Sequence, residues 1–242
     1  MNWPEGVGRI TLGSVDSTMS EARRRAPDMA GDFWVHALTQ TAGTGRRGRA
    51  WDSGDGNFSA SLLLRPNDPP DKLALRSFVA ALALFDTLVA LTGQEAMFSL
   101  KWPNDVLLKG RKLAGILLET HDGDLIVGIG VNLKTPPPAD MLDPGAVPPA
   151  TLASVGHQVT PQVFLDTLAP AFATWETRFR TFGFEPVRES WLRHAARLGE
   201  VVTARLPSEE ITGRFETVDD TGCLILEAPN GRRAIAAGEV FF

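Results

Sequence analysis

The sequence predicts an α+β protein that ends in a small β-barrel, and three observations carry that prediction. Short β-type runs alternate with helical stretches as far as Arg197. The strongest helical spacing lies in Asp71 to Thr92, where Leu73, Leu75, Phe78, Val79, Leu82, Phe85 and Val89 recur and Gly93 supplies a stop. The composition then changes near Gly199. Glu200 to Phe242 reads as four or five short strands with turns at Asp219-Asp220-Thr221-Gly222 and Pro229-Asn230-Gly231, which suits a barrel of about 45 residues. The chain thus divides into residues 1–197 and 198–242, and the smaller part is expected to lean on the larger for its core.

In chain order, Ser14 to Thr18 reads as a strand end followed by a helix N-cap. Ser17 or Thr18 can cap, and Glu21 stands three residues after Thr18 as in a capping box. That helix runs to about Arg25 and stops at Pro27. Phe33 to Thr39 and Phe58 to Leu64 read as strands. After the long helix come β-type runs at Phe98 to Trp102, Gly115 to Glu119 and Leu125 to Val131, the last two joined by a His121-Asp122-Gly123-Asp124 hairpin turn. Six prolines make Thr135 to Thr151 a loop. Pro161 to Phe182 is a second long helix with a kink expected at Pro170, and Pro186 to Arg197 a third.

Composition excludes several classes. The 242 residues are 43% hydrophobic and 22% charged, as in a globular protein. With 24 basic and 29 acidic residues the net charge is -5, opposite in sign to proteins that coat nucleic acid or anionic membranes. A single cysteine, Cys223, excludes an internal disulfide and a cysteine-rich zinc site. The first residues lack the apolar core of a signal peptide, and the apolar stretch around Phe78 to Leu91 reads as too short to span a bilayer, so a cytoplasmic location is expected. There is no G-x-S-x-G elbow and no phosphate-binding P-loop, and the four histidines lack metal-ligand spacing.

Gly43-Thr44-Gly45-Arg46-Arg47-Gly48-Arg49 stands out. Its glycines satisfy G-x-G-x-x-G, but the turn-forming Trp51-Asp52-Ser53-Gly54 follows where a dinucleotide fold needs a helix. Glycines let a backbone approach a ligand and present N–H groups to an anion, and arginine forks suit carboxylate and phosphate oxygens. In an acidic protein this is a local cationic clamp, although an isolated R-R-G-R can equally be a solvated turn. Three further segments can carry chemistry: the tight polar turn of Lys101-Trp102-Pro103-Asn104-Asp105, the lysine entering a strand in Arg111-Lys112-Leu113-Ala114-Gly115, and the alternate glycines of Gly128-Ile129-Gly130-Val131-Asn132, which clear one face of a strand. Each also has an ordinary structural reading, as a turn, a strand-end lysine and close packing.

Together and in this order, these segments resemble biotin–protein ligases. The family pattern is a Ser-Thr pair, then Q-x-A-G-R-G-R-x-G-R-x-W, K-W-P-N-D, K-[LV]-[AG]-G-I-L-x-E and G-[IA]-G-[IV]-N, and the chain supplies Ser17-Thr18, Gln40 to Trp51, Lys101 to Asp105, Lys112 to Glu119 and Gly128 to Asn132. Gly238-Glu239-Val240 looks like the family's closing motif. The resemblance implies a mixed β-sheet flanked by helices, related to the class II aminoacyl-tRNA synthetase catalytic core, with an SH3-like C-terminal barrel. It implies an ATP- and Mg²⁺-dependent reaction in which biotin becomes biotinyl-5′-AMP and passes to a lysine of a biotin carboxyl carrier protein domain. By that similarity Arg46 and Lys112 are the catalytic cations. Ser17, Thr18 and Gln40 bind the ureido group, and Gly43, Thr44, Gly45 and Arg46 line the acid end. Trp51, Gly115 and Gly128 form an apolar wall, while Arg47, Arg49 and Asn132 hold the nucleotide. Asp105 is a candidate Mg²⁺ ligand. Thr44 stands where many members have arginine, and Met19 where asparagine is frequent. The chain starts almost at the catalytic pattern, so a short form without an N-terminal DNA-binding domain is expected. An exposed strand beside the Pro-rich loop leaves a homodimer open. The nearest rival reading is a lipoyl or octanoyl ligase or transferase of the same core fold. A nucleic-acid-binding module built on Arg46 to Arg49 is opposed by the net charge and by the lack of a matching motif.

Overall fold

The computed structural model describes residues 2–141, 147–206 and 208–241. Seven strands form one mixed sheet: β1 (Gly8–Val15), β2 (Phe33–Gln40), β3 (Phe58–Leu64), β4 (Phe98–Lys101), β5 (Asp105–Leu108), β6 (Arg111–His121) and β7 (Asp124–Val131). Their order is β1-β2-β3-β7-β6-β5-β4, with β1 and β2 parallel and every other pair antiparallel. The helices are α1 (Thr18–Arg25), α2 (Pro70–Ala74), α3 (Arg76–Thr92), α4 (Pro161–Phe182) and α5 (Glu185–Arg193).

Strand parity decides where the core and the cavity sit. β3 and β7 lie side by side in the middle of the sheet. Phe58, Ala60, Leu62 and Leu64 of β3, with Val127, Ile129 and Val131 of β7, face the large core shared with α3 and α4. Each large aliphatic or aromatic side chain buried there contributes about 1.5–3 kcal/mol. The intervening positions face α1. Leu63 and Ile126 pack there against Met19 and Ala22, but Ser59, Ser61, Gly128 and Gly130 on the same face leave room.

Several expectations are revised. The single helix over Asp71 to Thr92 is two, with Leu75 between them, and Gly93 ends the second in the left-handed conformation (φ 71°). The stretch Pro70–Thr92 is long and apolar enough to cross a bilayer, contrary to the sequence reading, but 72% of its most apolar window is buried inside the protein. Glu21 does not complete a capping box, because its carboxylate accepts from Arg24 and Arg25, and the Ser17 side chain makes no cap bond. α4 continues through Pro170 as one helix. α5 stops at Arg193, since the following backbone pairs with the sheet instead: Leu100 N donates to the His194 carbonyl and Ala196 N to that of Leu100. β5 has only four residues, too few to show alternation in sequence. The Pro-rich segment holds no α-helix or full strand among its described residues, only a 3-10 turn at Ala139–Met141 and a bridge from Pro149 to Lys112; residues 142–146, with Pro144, lie outside the described residues.

The C-terminal strands are β8 (Val201–Arg205), β9 (Glu210–Val218), β10 (Leu224–Ala228), β11 (Gly231–Ile235) and β12 (Glu239–Phe241), in the order β11-β10-β9-β8-β12. This antiparallel SH3-like unit has no separate core. Val202, Phe215, Leu224 and Val240 belong to the same apolar cluster as α3 and α4. Its Asp219–Cys223 turn lies on the N-terminal part, where Trp102 Nε1 donates to the Gly222 carbonyl at 3.0 Å.

Candidate active site

The α1 face of the sheet holds a cavity of about 390 Å³. Its floor is made by glycines. A Cβ at Gly130 would overlap the Trp51 indole, one at Gly115 would lie 3.2 Å from it, and one at Gly128 would lie 2.6 Å from Met19 Sδ. The stripped strand face therefore receives two protein side chains, Trp51 and Met19, and the apolar wall is built by them against the glycines.

The roof is the segment Gly43 to Trp51, which is folded as a small hairpin. Trp51 N donates to the Gly43 carbonyl at 2.8 Å, Gly45 N to that of Arg49 at 2.7 Å, and Thr44 bridges Ala50. Arg47 at its tip has φ 59° and Gly48 φ 72°, a tight reversal that the glycine makes inexpensive. Thr44, Gly45, Arg46, Arg47, Arg49 and Trp51 all line the cavity; Gly43 instead abuts Gln40, with its missing Cβ only 2.8 Å from Nε2.

One part of the lining is neutral and hydrogen-bonding. Ser17, Thr18 and Gln40 line it, and Gln40 Oε1 accepts from Thr18 N at 2.7 Å and Thr18 Oγ1 at 3.0 Å. Asn132, 3% exposed, lines the cavity too, and its side-chain amide has no protein partner among the described residues. The other part is charged. Lys112 Nζ lies 2.8 Å from Asp105 Oδ1 and Lys101 Nζ 3.8 Å from Asp105 Oδ2. Arg46 Nη1 donates to Asn104 Oδ1 and to the Gly238 carbonyl, each at 3.2 Å. Burial pulls the Arg46 guanidinium below its ordinary range, with Asp105 opposing, and burial likewise pulls the Lys101 ammonium down. Cations with little water around them interact strongly with an incoming anion.

The roof's positive charge is not left to solvent. Glu239, from the C-terminal strand β12, accepts from Arg49 at 3.0 and 2.9 Å and stands 3.7 Å from Arg47. The Arg49 hydrogen bonds hold its carboxyl below the usual range. Asp105 is a poor metal ligand as placed, because two ammonium groups already face it, and no group of three candidate ligands occurs among the described residues.

The structure thus adds residues that the motif reading passed over. Lys101 and Asn104 lay inside a motif of which only Asp105 was chosen. Gly130 was legible as the partner of Gly128. Glu239 lay in the closing motif but was given no role there, since it acts across the fold on arginines far away in sequence.

A pocket with a neutral hydrogen-bonding region, an apolar wall and a partly buried cation cluster suits a small acid together with a nucleotide. The chain belongs to the biotin/lipoate A/B protein ligase family, whose model matches residues 12–135, and residues 198–242 match the biotin protein ligase C-terminal domain. It is 50% identical over 237 residues to a biotin–[acetyl-CoA-carboxylase] ligase of Paracoccus denitrificans, covering 96% of this chain and 99% of that one. A bifunctional ligase/repressor of Bacillus subtilis is 30% identical over 95% of this chain and 71% of its own length. The solved biotin protein ligase from Aquifex aeolicus in complex with biotin and ATP superposes with a TM-score of 0.85 at 28% identity, covering 96% and 97% of the two chains.

Proposed function

We infer that this protein activates biotin with ATP and attaches it to a lysine of a biotin carboxyl carrier domain, such as that of acetyl-CoA carboxylase. The observation that carries this reading is the juxtaposition, in one cavity, of the Thr18–Gln40 pair with the Arg46–Lys112–Lys101 cluster. Two anions have to meet in the first step. The biotin carboxylate oxygen attacks the α-phosphorus of ATP, the bond to the β-phosphate oxygen breaks, and pyrophosphate leaves with that electron pair. Arg46 and Lys112 offset the charge that builds on the α-phosphate oxygens, and one such donor is worth about 3 kcal/mol. Mg²⁺ enters as part of the MgATP substrate, held by phosphate oxygens.

Lys112 is held for this role. Its ion pair with Asp105 is short, yet Asp105 Oδ1 has no aligned hydrogen bond. A phosphate oxygen that draws Lys112 away must therefore compete with a buried carboxylate, which Lys101 at 3.8 Å goes on facing. Arg47 and Arg49 order the roof and supply charge near the polyphosphate, while the Asn132 amide can both donate to and accept from adenine. In the second step the acceptor lysine amine attacks the acyl carbon of the mixed anhydride, the carbon–oxygen bond to AMP breaks, and an amide forms. The roof keeps water from the anhydride meanwhile. The test is ATP–[³²P]pyrophosphate exchange with biotin and with lipoate. Exchange that depends on biotin alone supports the reading; exchange driven by lipoate, or by neither acid, removes it.

A further inference from the structure

Behind the neutral part of the cavity, five side chains form one hydrogen-bonded row whose direction can be worked out. Thr18 N is a backbone donor and cannot accept, so the Gln40 atom 2.7 Å from it is the amide oxygen. Thr18 Oγ1 also donates to that oxygen, at 3.0 Å. Its one hydrogen is then used, so in the 2.8 Å contact with Ser61 Oγ it is Ser61 that donates. On the other side, Gln40 Nε2 donates to Ser53 Oγ at 3.0 Å, and Ser53 lies 3.1 Å from Ser59 Oγ. The row is dry: Ser61, Ser59, Ser53 and Thr18 are 0%, 2%, 3% and 3% exposed. It is also anchored, since Ser61 and Ser59 sit on β3 directly opposite Gly128 and Gly130, while Ser53 follows the roof hairpin.

This bonding leaves little choice of ligand. Gln40 Oε1 already accepts twice, so toward a ligand Gln40 has only its second N–H to offer. Thr18 Oγ1 has given its hydrogen and has only a lone pair left. A matching headgroup must bring an acceptor oxygen beside an N–H donor, as a cyclic urea does. A dithiolane ring or an alkyl chain would leave both protein groups unpaired, which costs more than a lost contact. We propose that Ser53, Ser59 and Ser61 are positioning residues that hold Thr18 and Gln40 in the donor–acceptor arrangement set by the Thr18 N–H, and so restrict the cavity to acids bearing a urea headgroup. The proposal rests on the biotin-ligase reading and explains how a member of a biotin/lipoate family would choose between the two.

The test is steady-state pyrophosphate exchange by the wild-type protein and by Ser53→Ala and Ser59→Ala, with biotin and with its guanidine analogue, in which the urea oxygen is replaced by a protonated nitrogen that can only donate. Loss of the hydrogen bond to Gln40 is expected to raise the KM for biotin about tenfold in Ser53→Ala, and loss of the Ser53–Ser59 bond about threefold in Ser59→Ala, with kcat and the KM for ATP within about twofold. The preference for biotin over the guanidine analogue should narrow in the same order, a change that mere loosening of the fold would not produce. A biotin KM unchanged in both variants overturns the proposal, as does an ATP KM that rises in step with it, which would make Ser53 only a loop-folding residue. If the wild-type protein shows no biotin-dependent exchange, the reading of the site fails and the proposal with it; exchange in the wild type with indifferent serine variants removes the proposal alone.

Discussion

Lys112 Nζ stands 6.0 Å from the Trp51 ring centroid and 2.8 Å from Asp105, so its charge is shared between a π face and a carboxylate until an anion arrives. In the mechanism proposed above, replacing it by alanine removes a cation that acts while the α-phosphate reacts. Lys112→Ala should lower biotin-dependent pyrophosphate exchange by about 100-fold or more with an unchanged melting temperature; normal exchange would strip Lys112 of its role. A second residue-scale effect lies outside the cavity. His36 on β2 is fully buried, is stacked on Phe58 at 5.6 Å, and has neither ring nitrogen hydrogen-bonded. Burial pushes its pKa from 6.5 down to about 4, the Arg9 charge adding to this and Asp166 opposing it. An unfolded chain takes up the proton as pH falls through 6.5, while the folded protein does not until about 4. Its stabilising effect is therefore whole above 6.5 and lost between there and about 4, by at most about 3 kcal/mol. In urea titrations, His36→Leu should gain on the wild-type protein steadily over that window; a gap independent of pH would refute the assignment.

At the scale of elements, the roof hairpin is held from three sides. Arg46 reaches the Asn104 turn and the Gly238 carbonyl, Arg49 and Arg47 meet Glu239, and Gly43 with Ser53 grips Gln40. Arg46→Gly keeps the hairpin's backbone bonds but cuts the first tie, so biotinyl-AMP should escape into solution at a higher rate, seen as biotinylation of bystander proteins; retention equal to wild type would count against it. Glu239→Gln keeps shape and loses charge. It should make the roof more susceptible to protease and lower ATP affinity several-fold, by about 1 kcal/mol, whereas unchanged cleavage would show that the carboxylate does not hold the loop. What was legible here follows from locality. The helix over Arg76 to Thr92, the strands Phe58 to Leu64 and Leu125 to Val131, and the glycine–arginine loop are each written in a contiguous pattern. The serine row is not, and the closing motif that contains Glu239 does not show which residues it meets. Ser59 and Ser61 alternate on a strand as surface serines also do, and only the pairing of β3 with β7 shows that they are buried opposite glycines. The expected capping role of Glu21 lapses for a similar reason, since Arg24 and Arg25 had already engaged its carboxylate.

For the whole molecule, the C-terminal unit and the catalytic sheet share one core, and the site depends on that union, because Glu239 and Gly238 come from one part and the arginines from the other. The join away from the cavity is the Asp219–Cys223 turn. Asp219 Oδ1 accepts from Thr221 N and Cys223 N and so fixes the turn, and the Gly222 carbonyl receives the Trp102 indole N–H. Gly222 has φ 83°, and a Cβ there would lie 2.9 Å from Leu75 and 3.2 Å from Phe78. Trp102 in turn opens the segment that presents Asn104 to Arg46 and Asp105 to Lys112, while Ser77 of α3 holds that segment by donating to the Pro103 carbonyl at 2.9 Å. Gly222→Val meets both an unfavourable backbone region and a steric wall, and should cost about 2–4 kcal/mol. If the two parts fold as a unit, its thermal unfolding should remain a single transition at lower temperature, and exchange activity should fall although no cavity residue has changed. Two separate transitions, one of them at the wild-type temperature, would instead mean that the barrel and the catalytic sheet melt independently and that the shared apolar cluster does not couple them.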